Sequence, residues 1–184
     1  MQKATSPPSR GFTAIELLVT IAIAGILAAL AAPSFKGLIE RYRVTQATGE
    51  WETALYLARS EAIKRGGNVI LSKEADGDGC TAGGAEDWSC GWFVFYSPSN
   101  SANYVSGTDT LLQRYSRPAK GTYAIAKPGN KVFKVDRWGK ANGISAIQMK
   151  FTPPSNALEN TYVVCSSAAG RIIKLKGEVE CPGS

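Results

Sequence analysis

The sequence predicts an α+β protein, one long N-terminal helix packed against antiparallel β-sheet. Three observations lead there. An apolar stretch over residues 17–32 is interrupted only by Thr20 and Gly25. Helical periodicity then continues to about Arg65, where Gly66-Gly67 stops it. Beyond Gly67 the chain turns into short β-type runs separated by Gly, Pro, Asn and Ser. That succession of a helix followed by strands fits helix-on-antiparallel-sheet better than alternating strand and helix.

Phe12, Ala14 and Ile15 extend the apolar run to about 20 residues, the length of a bilayer-spanning helix. Pro33 is expected to kink or interrupt the helix, since it lacks an N–H and its ring clashes with the preceding turn. Past it, Phe35, Leu38, Ile39 and Tyr42 recur at three- and four-residue spacing. Ala47, Trp51, Ala54, Leu55, Ala58 and Ala62 continue the pattern, with charges between them. This second half should therefore pack on a domain. Lys64 and Arg65 lie in the last turn, where cations complement the helix dipole. Strands are expected over 69–71, 92–96, 111–115, 123–126, 131–135, 147–151, 162–166 and 171–176. Four segments result: a leader over 1–11, an apolar helix over 12–32, its amphipathic continuation over 33–65, and a β-rich domain over 66–184.

The 184 residues carry a net charge of +6, four cysteines and no histidine. A mild positive balance permits anionic partners without demanding them. The absence of histidine removes Ser-His and Cys-His catalysis and the commonest metal ligand. Carboxylates are scattered, and no Gly-rich phosphate loop follows a strand, so no catalytic residue is assigned. Asp76-Gly77-Asp78-Gly79 lacks the further oxygen ligands of a calcium loop and reads as a polar turn. No metal or cofactor is expected. In an exported domain four cysteines suggest disulfides, and no Cys-x-x-Cys knuckle points to zinc. Three connectivities are open from sequence, and the local pairs Cys80–Cys90 and Cys165–Cys181 are the expectation. Trp88 and Trp92 read as aromatic core, and Trp138 as a packing residue in the turn Asp136-Arg137-Trp138-Gly139.

Glu16 stands out, because a carboxylate inside an apolar helix is costly and marks a functional position by default. Lys3 and Arg10 precede it, which favours a cytoplasmic N-terminus and an outward-facing bulk. An ordinary signal peptide with Ala29-Leu30-Ala31 as its cleavage site accounts poorly for that acid, or for the helical pattern beyond Pro33. Cleavage after Gly11 would instead create a new amine at Phe12 to neutralise it. Gly11-Phe12-Thr13-Ala14-Ile15-Glu16-Leu17-Leu18 resembles the class III leader of type IV pilins and type II secretion pseudopilins, with Ala14 where the family usually has leucine. The resemblance implies that a prepilin peptidase cuts between Gly11 and Phe12 and methylates Phe12. It also implies that Glu16 pairs with a neighbouring subunit's amine during assembly.

Three further segments narrow the resemblance. The helix end 54–66, the Trp88-Ser89-Cys90-Gly91-Trp92-Phe93-Val94-Phe95 run and Cys165-Ser166-Ser167-Ala168-Ala169-Gly170-Arg171-Ile172 are similar to the GspH/FimT group. Membership implies a pilin-like fold and a structural subunit rather than an enzyme. It would be a minor type IV pilin that helps initiate assembly at or near the pilus tip. The implied partners are prepilin peptidase, other major and minor pilins or pseudopilins, the inner-membrane assembly platform, and lipid before assembly. The implied location is the inner membrane, single-pass, with the domain periplasmic, and then the fibre at the cell surface. Two alternatives stand beside it: a GspH-type pseudopilin of type II secretion, and an uptake pilin binding DNA through Arg171, Lys174 and Lys176. Some FimT-like proteins carry Gly-Arg-x-Arg for this, but here Ile173 replaces the second arginine. DNA is therefore the less favoured partner.

Overall fold

The structure, a computed structural model, describes residues 11–77, 79–119, 121–127, 129–141, 146–167, 170–177 and 179–182, without the side chains of 31–34 and 146. The interruption expected at Pro33 lies outside the described side chains. The chain falls into two units, Met1–Leu38 and Ile39–Ser184. Helix α1 (Ala14–Arg65) contributes to both. It begins at Ala14 rather than Phe12, because Thr13 is its N-cap: the Thr13 carbonyl accepts the first helical bond from Leu17 N–H at 3.2 Å.

Among the described residues the second unit holds ten strands: β1 (Val69–Lys73), β2 (Asp76–Gly77), β3 (Cys80–Thr81), β4 (Trp92–Tyr96), β5 (Thr110–Tyr115), β6 (Tyr123–Lys127), β7 (Val132–Val135), β8 (Ala146–Thr152), β9 (Tyr162–Ser167) and β10 (Ile172–Lys176). They form two four-stranded sheets, ordered β5-β4-β1-β7 and β10-β9-β8-β6, and a small β2-β3 ladder. The pairings between these strands are antiparallel. The expected strands all form, with ends shifted by no more than two residues; the short β2-β3 ladder and a 3-10 turn at Leu158–Asn160 add to them.

Burial explains the strand sequences. In β1 all five residues are buried, and in β4 the first four. Both are central strands covered on both faces, so alternation gives way to continuous apolar runs. In contrast, β6 and β7 bury alternate residues, as strands with one covered face do. Val44, Ala47, Trp51, Ala54, Leu55, Ala58 and Ala62 of α1 share one core with residues of both sheets. Small alanines at 47, 54, 58 and 62 allow close approach of the helix. At the centre Trp51 meets Trp88 and Trp92 edge-on, with ring centroids 5.3 and 5.4 Å apart.

The outer faces carry their own apolar clusters: Ile70, Phe93 and Phe95 under Tyr104 and Val132 on one sheet, and Val163, Cys165 and Cys181 with Ile173 and Leu175 on the other. Helix α1 ends with Gly67 N–H bonded to Ala62 O at 2.7 Å and Gly66 at φ 79°, a Schellman stop. Trp138 departs from its expected packing role: it is 71% exposed. Its turn is closed by backbone and carboxylate bonds, so the indole is not needed to hold it.

Candidate assembly site

The head of α1 is built by reciprocal capping. Thr13 N–H and Thr13 Oγ1 both donate to Glu16 Oε2, at 2.9 and 2.8 Å, and Glu16 N–H donates to Thr13 Oγ1 at 3.3 Å. Thr13-x-x-Glu16 is thus a capping box, which satisfies two N–H groups that a helix start otherwise leaves open. The three-residue spacing of Thr13 and Glu16 is the sequence signal for this cap. The carboxylate therefore stabilises the helix start and offers negative charge at the same point.

Around it the surface is apolar and open. Phe12, Ile15, Leu18, Ile26 and Leu30 are all exposed, Phe12 by 86% and Leu30 by 74%. So large a contiguous apolar surface marks a contact with lipid or protein rather than water. Among the described residues no single unbroken helix is long and apolar enough to cross a membrane. Ala14–Leu30 and Phe35–Arg65 meet the criterion together, by length and composition.

The other singled-out residues lie in the second unit. Cys80 and Cys90 are joined, as are Cys165 and Cys181, with Cα–Cα distances of 5.5 and 5.7 Å. The first bond ties β3 to the segment before β4, and the second ties β9 to the C-terminal segment. Arg171 precedes β10 within a turn in which its N–H donates to Ser167 Oγ at 3.1 Å. Lys174 and Lys176 lie opposite Val164 and Tyr162 in register, on the face of β10 that carries Ile172. Lys174 Nζ sits 4.7 Å from the Tyr162 ring centroid. The two lysines share a face, while Arg171 belongs to the turn, so the three cations do not form one strand-face cluster.

Sequence reasoning missed two positioning residues. Arg59 reaches from α1 to the far turns, donating Nε to Gly139 O at 3.0 Å and Nη1 to Gly170 O. A side chain at Gly170 would run into that guanidinium, which explains the glycine there. Lys73 at the end of β1 donates to Gly84 O, and to Asp87 O at 2.8 Å, holding the cysteine loop to the sheet. Burial pulls the Lys73 ammonium below its ordinary pKa, against the raising effect of the Asp87 charge. Burial alone would raise the Asp87 carboxyl. Hydrogen bonds from Gly83 N–H and from Ser89, with the nearby Lys73 charge, outweigh it and hold the group below the ordinary aspartate range.

A capped acidic helix start on an apolar helix, leading into a helix-on-two-sheets domain, defines a type IV pilin-like subunit. Residues 7–32 match the prokaryotic N-terminal methylation motif. Residues 47–170 match the family described as type II transport protein GspH, and the chain belongs to that family. Among curated relatives, a Pseudomonas aeruginosa fimbrial protein is 43% identical over 63 residues, covering 34% of this chain and 40% of that protein. The chain thus spans well under half the length of the first relatives it matches. The type IV major fimbrial protein FimA of Dichelobacter nodosus is 45% identical over 170 residues, 88% of this chain and 91% of that protein. Two solved structures share the fold. The type IV minor pilin FimU of Pseudomonas aeruginosa has TM-score 0.56 at 19% identity, over 80% of this chain and 98% of that one. The minor pseudopilin EpsH of Vibrio cholerae has TM-score 0.50 at 12% identity, over 77% and 99%.

Proposed function

We propose that this chain is a minor type IV pilin that helps initiate fibre assembly at or near the tip. In this reading prepilin peptidase cuts between Gly11 and Phe12 and methylates Phe12. Before assembly residues 12–32 anchor the chain once in the inner membrane, N-terminus inside, with the domain from residue 66 in the periplasm. The assembly platform then moves the helix from lipid into a bundle of neighbouring pilins. Residues 33–65 continue the helix towards the domain.

The observation that carries this reading is Glu16: one carboxylate, placed at the helix head by its own cap, inside an otherwise open apolar surface. In a bundle such a charge needs a partner, since an unpaired buried ion costs several kcal/mol. A neighbour's amine supplies it. Tyr42, Tyr56 and Ile63 also remain exposed on α1 at multiples of seven residues, the spacing of a helix–helix seam.

The family description and the EpsH likeness support a second reading, a minor pseudopilin in a type II secretion fibre. The same physics of helix, cap and charge serves both. Deleting the gene and measuring pili sheared from the cell surface separates them. Loss of pili, restored by the intact gene, supports the priming pilin. Normal pili with impaired protein secretion favour the pseudopilin. Normal pili and normal secretion count against both.

A further inference from the structure

The four tryptophans divide into two kinds. Trp51, Trp88 and Trp92 are fully buried, whereas Trp138 is 71% exposed. Trp138 is not loosely held. Asp136 Oδ1 accepts the N–H groups of Trp138 and Lys140, both at 2.9 Å. Asp136 N–H bonds Lys140 O, and Gly139 N–H bonds Asp136 O, also at 2.9 Å. Arg59 Nε fastens Gly139 O to α1 at 3.0 Å. The turn also rests against the helix stop: a Cβ at Gly67, whose φ is 112°, would lie 3.3 Å from the Arg137 backbone nitrogen. A large aromatic side chain displayed on so fixed a turn has the character of a preorganised binding anchor.

Beside Trp138 opens a cleft of about 350 Å³, lined by Gly67, Asn68, Asn100, Lys134 and Asp136 among others. Asn68 and Asn100 both hold left-handed backbone, φ 59° and 54°, which sets the walls. Asn68 Nδ2 donates to Pro98 O at 3.5 Å and Lys134 Nζ to Asn100 O at 2.5 Å. The Arg137 guanidinium carbon lies 5.4 Å from the Trp138 ring centroid. One flat apolar face therefore adjoins amide, carboxylate and cationic groups in a space near the lower end of small-ligand pockets, about 300 Å³.

We propose that Trp138 and this cleft bind a carboxylate-bearing saccharide, a hexuronate unit. The C–H face of a pyranose stacks on the indole, while its hydroxyls meet the donors and acceptors of Asn68 and Asn100. Two cations, Lys134 and Arg137, line the cleft against the single Asp136 carboxylate, so the local balance is positive and favours an anionic sugar. A single nucleic-acid strand also stacks on aromatics, but it needs cations tracking its backbone. At the adjacent helix end Glu61 already pairs with Lys64 at 3.6 Å and Arg65 at 2.6 Å, which weakens such a track. The site does not depend on which fibre the chain enters.

The test uses full-length protein in detergent, with trigalacturonate as probe and maltotriose and a short oligothymidylate as comparisons. Trp138 is the exposed indole, so acrylamide quenching of tryptophan fluorescence reports on it selectively. Trigalacturonate should protect it saturably, with a dissociation constant on the order of 1 mM. Trp138→Ala, a surface change that leaves the thermal transition in place, should weaken binding measured by saturation-transfer NMR about tenfold or more. Arg137→Gln should weaken the uronate and leave the weaker maltotriose signal unchanged. Absence of saturable protection up to about 10 mM trigalacturonate, or unchanged affinity in Trp138→Ala, overturns the proposal. Tighter binding of the oligothymidylate overturns it in favour of nucleic acid, and equal binding of maltotriose overturns the selection by charge.

Discussion

Replacing Trp88 by Phe should cost the fold more than replacing Trp51 or Trp92 by Phe, although all three indoles are fully buried. Each change removes the same atoms from the same cluster, so the cavity contributions largely cancel in the comparison. The hydrogen bonds do not cancel. Trp88 Nε1 donates to Asn130 O at 3.0 Å. A phenyl ring there leaves that carbonyl without its donor, at a cost of about 1 kcal/mol for a half-buried acceptor. Trp51 Nε1 and Trp92 Nε1 are buried with no acceptor among the described residues. Removing either relieves a desolvation penalty of about 1 kcal/mol or more. The expected gap is therefore about 2 kcal/mol, or roughly 1 M in urea midpoint at a slope near 2 kcal/mol per M. The assay is urea unfolding of the full-length chain in mild detergent, followed by circular dichroism of the sheet. Equal midpoints for Trp88→Phe and Trp51→Phe, or a lower one for Trp51→Phe, would refute the reasoning and assign the order to ring packing alone.

Four other substitutions or measurements bear on processing, assembly and stability. Gly11→Ala should leave the precursor uncut, seen as a larger band on immunoblot; efficient cleavage would contradict the leader assignment. Glu16→Gln keeps an acceptor for the capping box but removes the charge. It should be processed yet scarce in sheared fibres, while Thr13→Ala, which weakens the cap and keeps the charge, should still be incorporated; equal incorporation of the two would sink the neutralisation mechanism. Asp87 has a folded pKa below its ordinary 3.8. Its contribution to stability is thus present above the ordinary value and is lost as pH falls through the lower folded value. Asp87→Asn should flatten the acid limb of a midpoint-against-pH curve below about pH 4, and an unchanged limb would remove Asp87 from it. Peptide mapping without reduction should return Cys80 with Cys90 and Cys165 with Cys181, and a Cys80–Cys165 peptide would contradict both pairs.

Much of this protein was legible in its sequence because the relevant signals are local. The apolar run, the three- and four-residue spacing from Ala47 to Ala62, the Gly66-Gly67 stop and the runs that became β1 and β4 to β10 each depend on neighbours within a few residues. The Thr13-x-x-Glu16 cap is equally local, a three-residue spacing within one turn. The sheet orders, the meeting of Trp51 with Trp88 and Trp92, and the reach of Arg59 to carbonyls 80 and 111 residues away are of another kind. They join segments whose proximity no periodicity encodes, since many chain closures share one pattern of elements. Trp138 marks the boundary most clearly. The turn Asp136-Arg137-Trp138-Gly139 was readable from its residues. The outward direction of its indole was not, because that follows from where Gly67 and Arg59 bring the rest of the chain to meet it.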